Sequence, residues 1–383
     1  MTASNARIIG IGQTDLSRNS GRSTTRLAFE AITAAAADAG IAPDEIDGFV
    51  PFPMGPTVED LAPILGSRDI RFTATAQMGG ASSLAGIRLA AMAVRTNAAR
   101  YVAVYVARNG RSGAGIDQRV RQLAGQAYRQ GLEYPHGMNT PAQWYSLICR
   151  RHMHEFGTTR EALGTVALTM RRNAQRNPQA QMFGRELTMR DYLDSPVIAD
   201  PYLKFDCCLE TDGAAAVIVS SESAAGTSAP VSIAGIAEGH PESADDIANR
   251  VDFFDTGLTQ AAPRAFAEAG LRAQDVDVAM IYDCFTFEVV HQLEEAGFCP
   301  RGEGGAFVLD GAIASDGQLP VNPHGGLLSE GHLAGMNHVI EAVRQLRGGC
   351  GERQVADCRV AAVTGWGDLG DGALALLTAE EAL

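Results

Sequence analysis

The sequence ADAGIAPDEID at residues 37–47 recurs as AEAGLRAQDVD at residues 267–277, with a constant offset of 230 positions. In each copy an alanine-rich helix is predicted to stop at a glycine, Gly40 or Gly270, the residue that most readily adopts the left-handed turn past a helix. A short acidic linker and an apolar strand follow in both copies. The chain is therefore predicted to contain one helix–linker–strand unit twice.

Apolar runs typical of strands flank both copies of this unit. The runs are IIGIG (8–12), GFVPF (48–52), YVAVYVA (101–107), AAAVIVS (214–220), VSIAGI (231–236), VAMIYDCF (278–285), VAAV (360–363) and ALALL (373–377). Helices are predicted between them, among others from about Ser83 and over residues 333–346. The alternation predicts an α/β fold with a mainly parallel sheet covered by helices on both faces. Binding proteins of the periplasmic type share this pattern, so it does not settle the family.

A segment at about 109–200 interrupts the alternation. We predict an N-terminal half over 1–225, with a loop domain inserted at about 109–200, and a C-terminal half over 226–383. The insertion carries two arginine clusters, RRHMHEF (150–156) and TMRRNAQRNP (169–178). Long insertions often build a ligand site or an interface. The clusters therefore either contact phosphates of a ligand or lie on solvated helix faces.

Composition narrows the classes of function. The formal net charge of −14 argues against a nucleic-acid partner, which would need a basic patch. No apolar run approaches the ~20 residues that cross a bilayer, and the N-terminus has no signal-peptide pattern, so the cytoplasm is the expected location. The seven cysteines show no CxxC spacing, so we expect no metal site and free thiols in a reducing compartment.

Five long motifs follow one another along the chain: QMGGASSLAGIRLAAMAV (77–94), DPYLKFDCCLETDGAAAVIVS (200–220), IYDCFTFEVVHQLEEAGFCPRGEGG (281–305), NPHGGLLSEGHLAGMNHVIEAVRQLRG (322–348) and DGALAL (371–376). They resemble thiolases of the sterol-carrier-protein type and their thiolase-like lipid-transfer relatives. The resemblance runs from about residue 6 to the end. It implies a duplicated thiolase fold, two βαβαβαββ halves packed as five αβαβα layers, with a loop domain inserted in the first half.

The resemblance also implies ligands and partners. A coenzyme A thioester is the expected substrate, with no permanently bound cofactor, and a homodimeric core is expected. The segment RFTATAQ (71–77) alternates in the manner of a strand, and in thiolases this strand pairs across the dimer. The thiolase-like steroid side-chain aldolases, which this chain also resembles, work with a small OB-fold protein of the DUF35 type. A heterotetramer with such a protein is therefore one expectation.

Thiolases use two cysteines and a histidine, and both cysteine positions are glycine here. The acyl-accepting cysteine lies at a helix N-terminus, where the helix dipole favours its thiolate. Its motif corresponds to Gly80-Ala81-Ser82-Ser83, which puts Gly80 (or Gly79, if the alignment slips by one) at the nucleophile position, with the two serines expected to cap the helix. The second cysteine, in a Cys-x-Gly motif, corresponds to Gly365. We expect no cysteine sulfur at the reacting centre.

Acid/base candidates remain in the same motifs. His332 matches the histidine that normally activates the nucleophile, and His324 matches one that lies near the thioester oxygen. Tyr282 stands where related thiolases carry His or Asn. The steroid side-chain aldolases share Tyr-Asp-Cys-Phe at this place but carry a second tyrosine where this chain has His332. Substrate-binding positions implied by the resemblance are Gly80, Asp283, Gly325, Gly331 and Gly365.

Retro-aldol cleavage of a β-hydroxyacyl-CoA requires a base for the hydroxyl proton, donors for the enolate oxygen and an acid for its carbon, but no covalent intermediate. The products would be a ketone or aldehyde and acetyl- or propionyl-CoA. We assign Tyr282 and His332 to proton transfer and His324 to the oxyanion. Two alternatives stay open: an acyltransferase of the acetyl-CoA acetyltransferase or β-ketothiolase type with an unrecognised nucleophile, and a non-catalytic lipid-thioester carrier or scaffold.

Overall fold

A computed structural model describes residues 6–115, 118, 128–222, 228–242, 250–367 and 370–379. The strands are β1 (Arg7–Gln13), β2 (Gly48–Pro51), β3 (Phe72–Thr73), β4 (Val102–Asn109), β5 (Val197–Ala199), β6 (Tyr202–Leu203), β7 (Asp212–Ser220), β8 (Val231–Gly239), β9 (Val278–Met280), β10 (Val360–Gly367) and β11 (Asp371–Ala379). The α-helices are α1 (Thr24–Ala39), α2 (Val58–Leu65), α3 (Ser82–Arg95), α4 (Pro141–Phe156), α5 (Arg160–Ala174), α6 (Met189–Leu193), α7 (Gly257–Ala269), α8 (Thr286–Glu295), α9 (Gly304–Leu309), α10 (Gly326–Ser329) and α11 (Met336–Leu346).

The strand order repeats within the sheet, which runs β3-β2-β4-β7-β1-β8-β11-β10-β9. Read outward from its centre, β1-β7-β4-β2 in the first half corresponds to β8-β11-β10-β9 in the second. The two halves meet where β1 pairs with β8 through Arg7 and Ile8. At the outer side of β9, Val321 forms a single parallel bridge with Ala279. This bridge corresponds to the parallel pairing of β3 with β2 in the first half.

The expectation of a mainly parallel sheet was wrong. The pairs β2–β3, β2–β4 and β9–β10 are parallel, whereas β1–β7, β1–β8, β4–β7, β8–β11 and β10–β11 are antiparallel. A short connection between β10 and β11 leaves no room for a crossover helix, so these strands pair as a hairpin. The same pairing in the first half, β4 with β7, is hidden in the sequence by the insertion between them.

The predicted duplication is confirmed at the level of individual elements. Helices α1 and α7 end at Gly40 and Gly270, which have φ of 70° and 67°. The strands β2 and β9 begin at Gly48 and Val278, again 230 positions apart. One supersecondary unit therefore occurs twice in the chain.

Close contact between strand and helix explains the alanine-rich helices. A Cβ on Gly10 would lie 2.1 Å from the carbonyl oxygen of Ala35, and a Cβ on Gly235 would lie 2.2 Å from that of Ala265. Each glycine lets a helix of small residues rest directly on the sheet. The two alanines are also 230 positions apart, so the duplicated unit retains its packing as well as its sequence.

The layers follow the predicted αβαβα order. Helix α1 packs on β1, β4 and β7, and α7 packs on β8 and β11, so these helices form the outer layers. Helices α3 and α11 contact strands of both halves and share one apolar cluster with them. This central layer brings the N-terminus of α3 against the C-terminal ends of β9 and β10.

The inserted segment between β4 and β7 contains α4, α5, α6 and the β5–β6 hairpin; residues 116–117 and 119–127 lie outside the described residues. Arginines of its two clusters have protein partners: Arg150 pairs with Asp200, and Arg171 donates to Ser329 Oγ at 3.1 Å. The predicted boundary at 225/226 also lies outside the described residues, so the division into halves at that point stays a prediction. Helix α5 packs on α9 and α10 and thereby places the insertion beside the C-terminal motifs.

Candidate active site

Tyr282 lies just past the end of β9, and its backbone is held on both sides. Its N–H donates to Thr364 Oγ1 at 2.9 Å, and its carbonyl oxygen accepts from Gln292 Nε2 at 2.8 Å. Thr364 in turn donates to Gln292 Oε1 at 2.6 Å. A side chain from β10 and one from α8 therefore fix the direction in which the phenol points.

His332 meets that phenol from the loop between α10 and α11. Its Nε2 lies 3.0 Å from Tyr282 Oη, and its backbone N–H donates to Thr211 Oγ1 at 2.9 Å. The two rings meet edge to face, with an interplanar angle of 79°. The two residues assigned to proton transfer thus form a direct hydrogen-bonded pair, although 50 positions separate them in the chain.

Gly80 leaves room for the phenol. A Cβ at this position would lie 2.3 Å from both Cζ and Oη of Tyr282 and 2.2 Å from the carbonyl oxygen of Trp366. Real Cβ contacts are not that short, so a side chain at position 80 and the Tyr282 hydroxyl exclude each other. The phenol hydroxyl therefore occupies the space into which a cysteine at this position would project.

Burial dominates the electrostatics of the pair. Tyr282 is 4% exposed, and burial raises the pKa of its phenol well above the ordinary value, with Cys284 adding to the rise and Arg108 opposing it. The phenol is accordingly protonated at neutral pH. The Arg108 guanidinium approaches the other side of the imidazole, with Nη1 3.5 Å from His332 Nδ1.

A cysteine lies closer to the pair than we expected. Cys208 Sγ is 4.0 Å from His332 Nδ1, the ring nitrogen opposite the one that faces Tyr282, and the expectation of no cysteine sulfur at the reacting centre stays a prediction. The segment around Cys207 runs antiparallel to residues 284–285, with Cys208 N–H donating to the Cys284 carbonyl oxygen at 3.0 Å. Burial raises the pKa of the Cys208 thiol to about 12, so little thiolate is present at neutral pH.

His324 occupies an interior position behind the pair. It is 0% exposed, its ring lies 4.9 Å from that of His338, and His338 in turn lies 6.3 Å from the Tyr282 ring. Burial lowers the pKa of His324 well below its ordinary value, so the ring is neutral. Its nearest carboxylate is Glu330, with 3.6 Å between Nε2 and Oε2. Direct contact with a substrate would therefore require a rearrangement.

Asp283 and two of the predicted glycines have local structural partners. Asp283 accepts from the backbone N–H groups of Leu327 and Leu328 at 2.7 and 3.1 Å, and so caps the start of α10. A Cβ on Gly325, where φ is 107°, would lie 2.8 Å from the Cβ of Ala174. A Cβ on Gly365 would lie 2.9 Å from the Cα of Ala81, inside the central layer.

Gly331 and the two serines complete the predicted set. A Cβ on Gly331 would lie 2.9 Å from Leu16, beside the loop that carries His332. Ser82 accepts from the Met78 N–H at 2.9 Å, and Ser83 donates to the Ala334 carbonyl oxygen at 2.6 Å. The expectation that these serines cap the first turn of α3 was wrong, since both hydroxyls instead tie neighbouring loops to that helix.

Four residues at the site were missed in the sequence: Arg108, Cys208, Thr364 and Gln292. The signal for Arg108 was its position at the end of the apolar run YVAVYVA, where a long cation follows a buried strand. Thr364 and Gln292 carried no recognisable signal, because their hydrogen bonds to Tyr282 involve its backbone and not its phenol.

Within the described residues no group of three or more His, Cys, Asp or Glu side chains could hold a metal ion. In the part of the chain that the structure describes, no helix combines the length and apolarity required to cross a membrane.

Known proteins are similar to this chain in fold and in sequence. A family model described as thiolase C-terminal domain-like matches residues 239–379. The 17-hydroxy-3-oxo-4-pregnene-20-carboxyl-CoA lyase of Mycobacterium tuberculosis is 40% identical over 361 residues, covering 91% of this chain and 93% of that protein. A steroid side-chain-cleaving aldolase of Thermomonospora curvata is 40% identical over 353 residues, covering 90% of both. The solved structure of an Ltp2-ChsH2(DUF35) aldolase matches with a TM-score of 0.92, at 36% identity and 99% coverage of both chains.

Proposed function

The chain belongs to the aldolases of the thiolase superfamily, and we propose that it cleaves a β-hydroxyacyl-CoA to a ketone or aldehyde and acetyl- or propionyl-CoA. The relatives confirm the predicted thiolase fold and aldolase class. The observation that carries the proposed mechanism is the hydrogen-bonded pair of Tyr282 and His332 beside Gly80, which has no side chain. Retro-aldol cleavage needs proton transfer but no covalent intermediate. The pair of Tyr282 and His332 can carry out that proton transfer.

Tyr282 is the proposed proton carrier. The reaction moves one proton from the β-hydroxyl to the α-carbon, while the electrons of the breaking C–C bond pass into the thioester enolate. A neutral phenol can give its proton to that carbon and take the hydroxyl proton in return. His332, 3.0 Å from the phenol oxygen, supports the charge that develops there.

Stabilisation of the enolate oxygen is proposed to come from α3 rather than directly from His324. Helix α3 begins at Ser82, two residues past Gly80, and the positive end of its dipole lies at the reacting centre. His324 is fully buried behind His338, so we now propose that it supports the Tyr282 segment from the interior. Gly80 is the one substrate-binding candidate that borders Tyr282 Oη directly.

The proposed acyl group is a steroid side chain with a hydroxyl on the carbon β to the thioester. This proposal rests on the two relatives at 40% identity, whose names give a hydroxylated pregnene carboxyl-CoA and steroid side-chain cleavage. A DUF35 protein is the proposed partner, because the structural relative at 36% identity is a complex with one. All seven cysteines are free, which supports a reducing compartment such as the cytoplasm.

An acyltransferase remains the second candidate because Cys208 lies 4.0 Å from His332. The raised pKa of the Cys208 thiol opposes this role, since the thiolate is the nucleophile.

We expect Cys208→Ser to retain turnover within about threefold, because the small side chain is conserved in shape. The probe is 17-hydroxy-3-oxo-4-pregnene-20-carboxyl-CoA, and the readout is mass spectrometry of the released ketone and acyl-CoA.

The same reaction mixtures separate the candidates. Intact-protein mass spectrometry of quenched samples should show no acyl adduct on wild-type protein. An adduct that maps to Cys208 and disappears in Cys208→Ser together with activity would replace the aldolase proposal by the acyltransferase. Binding of the thioester without product would favour the carrier.

The dimer is proposed to form through β3. Strand β3 forms one edge of the sheet. Of its two residues, Phe72 is half-buried and Thr73 is exposed. A free edge strand can pair with its copy in a second chain.

Light scattering after size exclusion should give twice the chain mass of 40.4 kDa, and a heterotetramer when a DUF35 protein is co-expressed. Thr73→Pro, which cannot donate from this edge, should shift the mass towards the monomer; a monomeric wild type would contradict the proposal.

A further inference from the structure

Arg108 stands at the far side of the His332 imidazole from Tyr282. It is the penultimate residue of β4 and pairs in register with Gly213 of β7, so a buried strand pair fixes its backbone. Its Nη1 lies 3.5 Å from His332 Nδ1, while Nε2 faces Tyr282 Oη at 3.0 Å. We propose that Arg108 is a positioning residue that holds His332 neutral, with its single ring proton on Nε2 facing the Tyr282 phenol.

Hydrogen-bond chemistry sets the tautomer. A guanidinium has five N–H donors and no acceptor, so the nitrogen that faces it must accept. A neutral imidazole carries one proton, which then lies on Nε2 and is donated to Tyr282 Oη. The thiol of Cys208, 4.0 Å from the same Nδ1, is also a weak donor and favours the same tautomer. The phenol oxygen accepts from His332, and its own proton is left for the substrate.

Charge sets the protonation state. A guanidinium stays positive at every pH at which the protein is folded, and a second positive charge on the imidazole next to it is disfavoured. The same cation favours a phenolate on Tyr282, against the opposing effects of burial, Cys284, Cys208 and Asp283. His338 faces the Tyr282 ring from α11. Arg108 thus favours the neutral imidazole that the proposed proton transfer requires, and it eases the departure of the phenol proton during that transfer.

The pH dependence of turnover tests this role, which rests on the proposed function. Activity needs a neutral imidazole and a protonated phenol. Without Arg108 the imidazole protonates more easily, so in Arg108→Gln the acid limb of the kcat profile should move up by about one pH unit. The phenol has a pKa raised so far by burial that its ionisation lies above the pH range of the experiment. Turnover below the acid limb should fall ~10-fold. Arg108→Lys keeps the charge and should restore most of the acid limb.

The matched control is Arg88→Gln. Arg88 lies on α3 in an ion pair with Glu238, with 2.7 Å between Nη1 and Oε1. Its replacement should leave the acid limb of the kcat profile in place. A rise in KM in Arg108→Gln with the acid limb unmoved would overturn the proposal and make Arg108 a substrate-binding residue instead.

Nitrogen-15 NMR of histidine-labelled full-length protein gives a readout that needs no turnover. The His332 signals, assigned by their loss in His332→Gln, should show a protonated Nε2 and an unprotonated Nδ1. In Arg108→Gln this pattern should give way to a mixture of tautomers and imidazolium. A wild-type Nδ1–H tautomer would overturn the proposal, and it can be observed even if Arg108→Gln does not fold. If the tautomer responds but no substrate is cleaved, the proposed function fails and the positioning role stands.

Discussion

Replacing Tyr282 by phenylalanine should lower turnover by ~10²-fold or more while the affinity for the CoA thioester stays nearly unchanged. The variant keeps the aromatic ring between Gly80 and Gly335 and removes only the hydroxyl. Its backbone contacts to Thr364 and Gln292 are unaffected, because they involve the peptide groups. The loss should therefore appear in kcat, since the proton is exchanged in the transition state and not on binding.

Tyr101→Phe is the control for removing a phenol hydroxyl from a nearly buried position. Tyr101 is 5% exposed, comparable to the 4% of Tyr282, but packs in the outer layer of the first half. Turnover of this control should remain within about twofold of wild type. Steady-state release of the product acyl-CoA gives kcat, and calorimetric titration with that product gives the affinity. Undiminished turnover in Tyr282→Phe would remove Tyr282 from the reaction.

The repeat could be predicted because it is a local signal. Glycine stops after alanine-rich helices and the strands that follow depend on neighbouring residues, and the offset of 230 recurs in the helix ends and strand starts. Strand direction was not predictable in this way. Whether β10 and β11 pair as a hairpin depends on the length of the link, and the equivalent pair β4 and β7 is separated by the insertion.

The pair Tyr282 and His332 could be proposed because both lie in long motifs that resemble one family. Arg108 and Cys208 could not, because 224 and 124 positions separate them from His332 and no periodicity links them. They reach the site only through the pairing of β4 with β7 and the antiparallel run beside residue 284.

His324 shows the opposite failure, in which nearness in the chain was misleading. It lies eight positions before His332 in one motif, yet Asn322, Gly325 and Gly326 all have positive φ, at 47°, 107° and 64°. These left-handed turns direct the chain through a tight loop and leave His324 in the interior. A motif gives the order of residues, whereas the backbone conformation decides which of them share a surface.

Gly80→Ala should abolish detectable turnover, a loss of ~10³-fold, and lower the free energy of unfolding by about 1–3 kcal/mol. The added methyl would lie 2.3 Å from Tyr282 Oη and 2.2 Å from the Trp366 carbonyl oxygen, so both the phenol and the strand that carries Trp366 must give way. Movement of the phenol breaks its hydrogen bond to His332. Urea unfolding and product release measure the two effects, and Gly349→Ala, whose nearest neighbour is 3.7 Å away, is the control expected to change neither.

A double variant decides whether the phenol is the group that excludes a side chain at position 80. In Gly80→Ala/Tyr282→His the shorter imidazole lacks the ring carbon and hydroxyl that meet the new methyl group, so the part of the lost stability that comes from the phenol should return. Turnover should not return, because the proton carrier is gone. If the stability losses of Gly80→Ala and Tyr282→His simply add in the double variant, the clash lies with Trp366 instead. Recovery would show that a side chain at position 80 and a phenol at position 282 compete for one space.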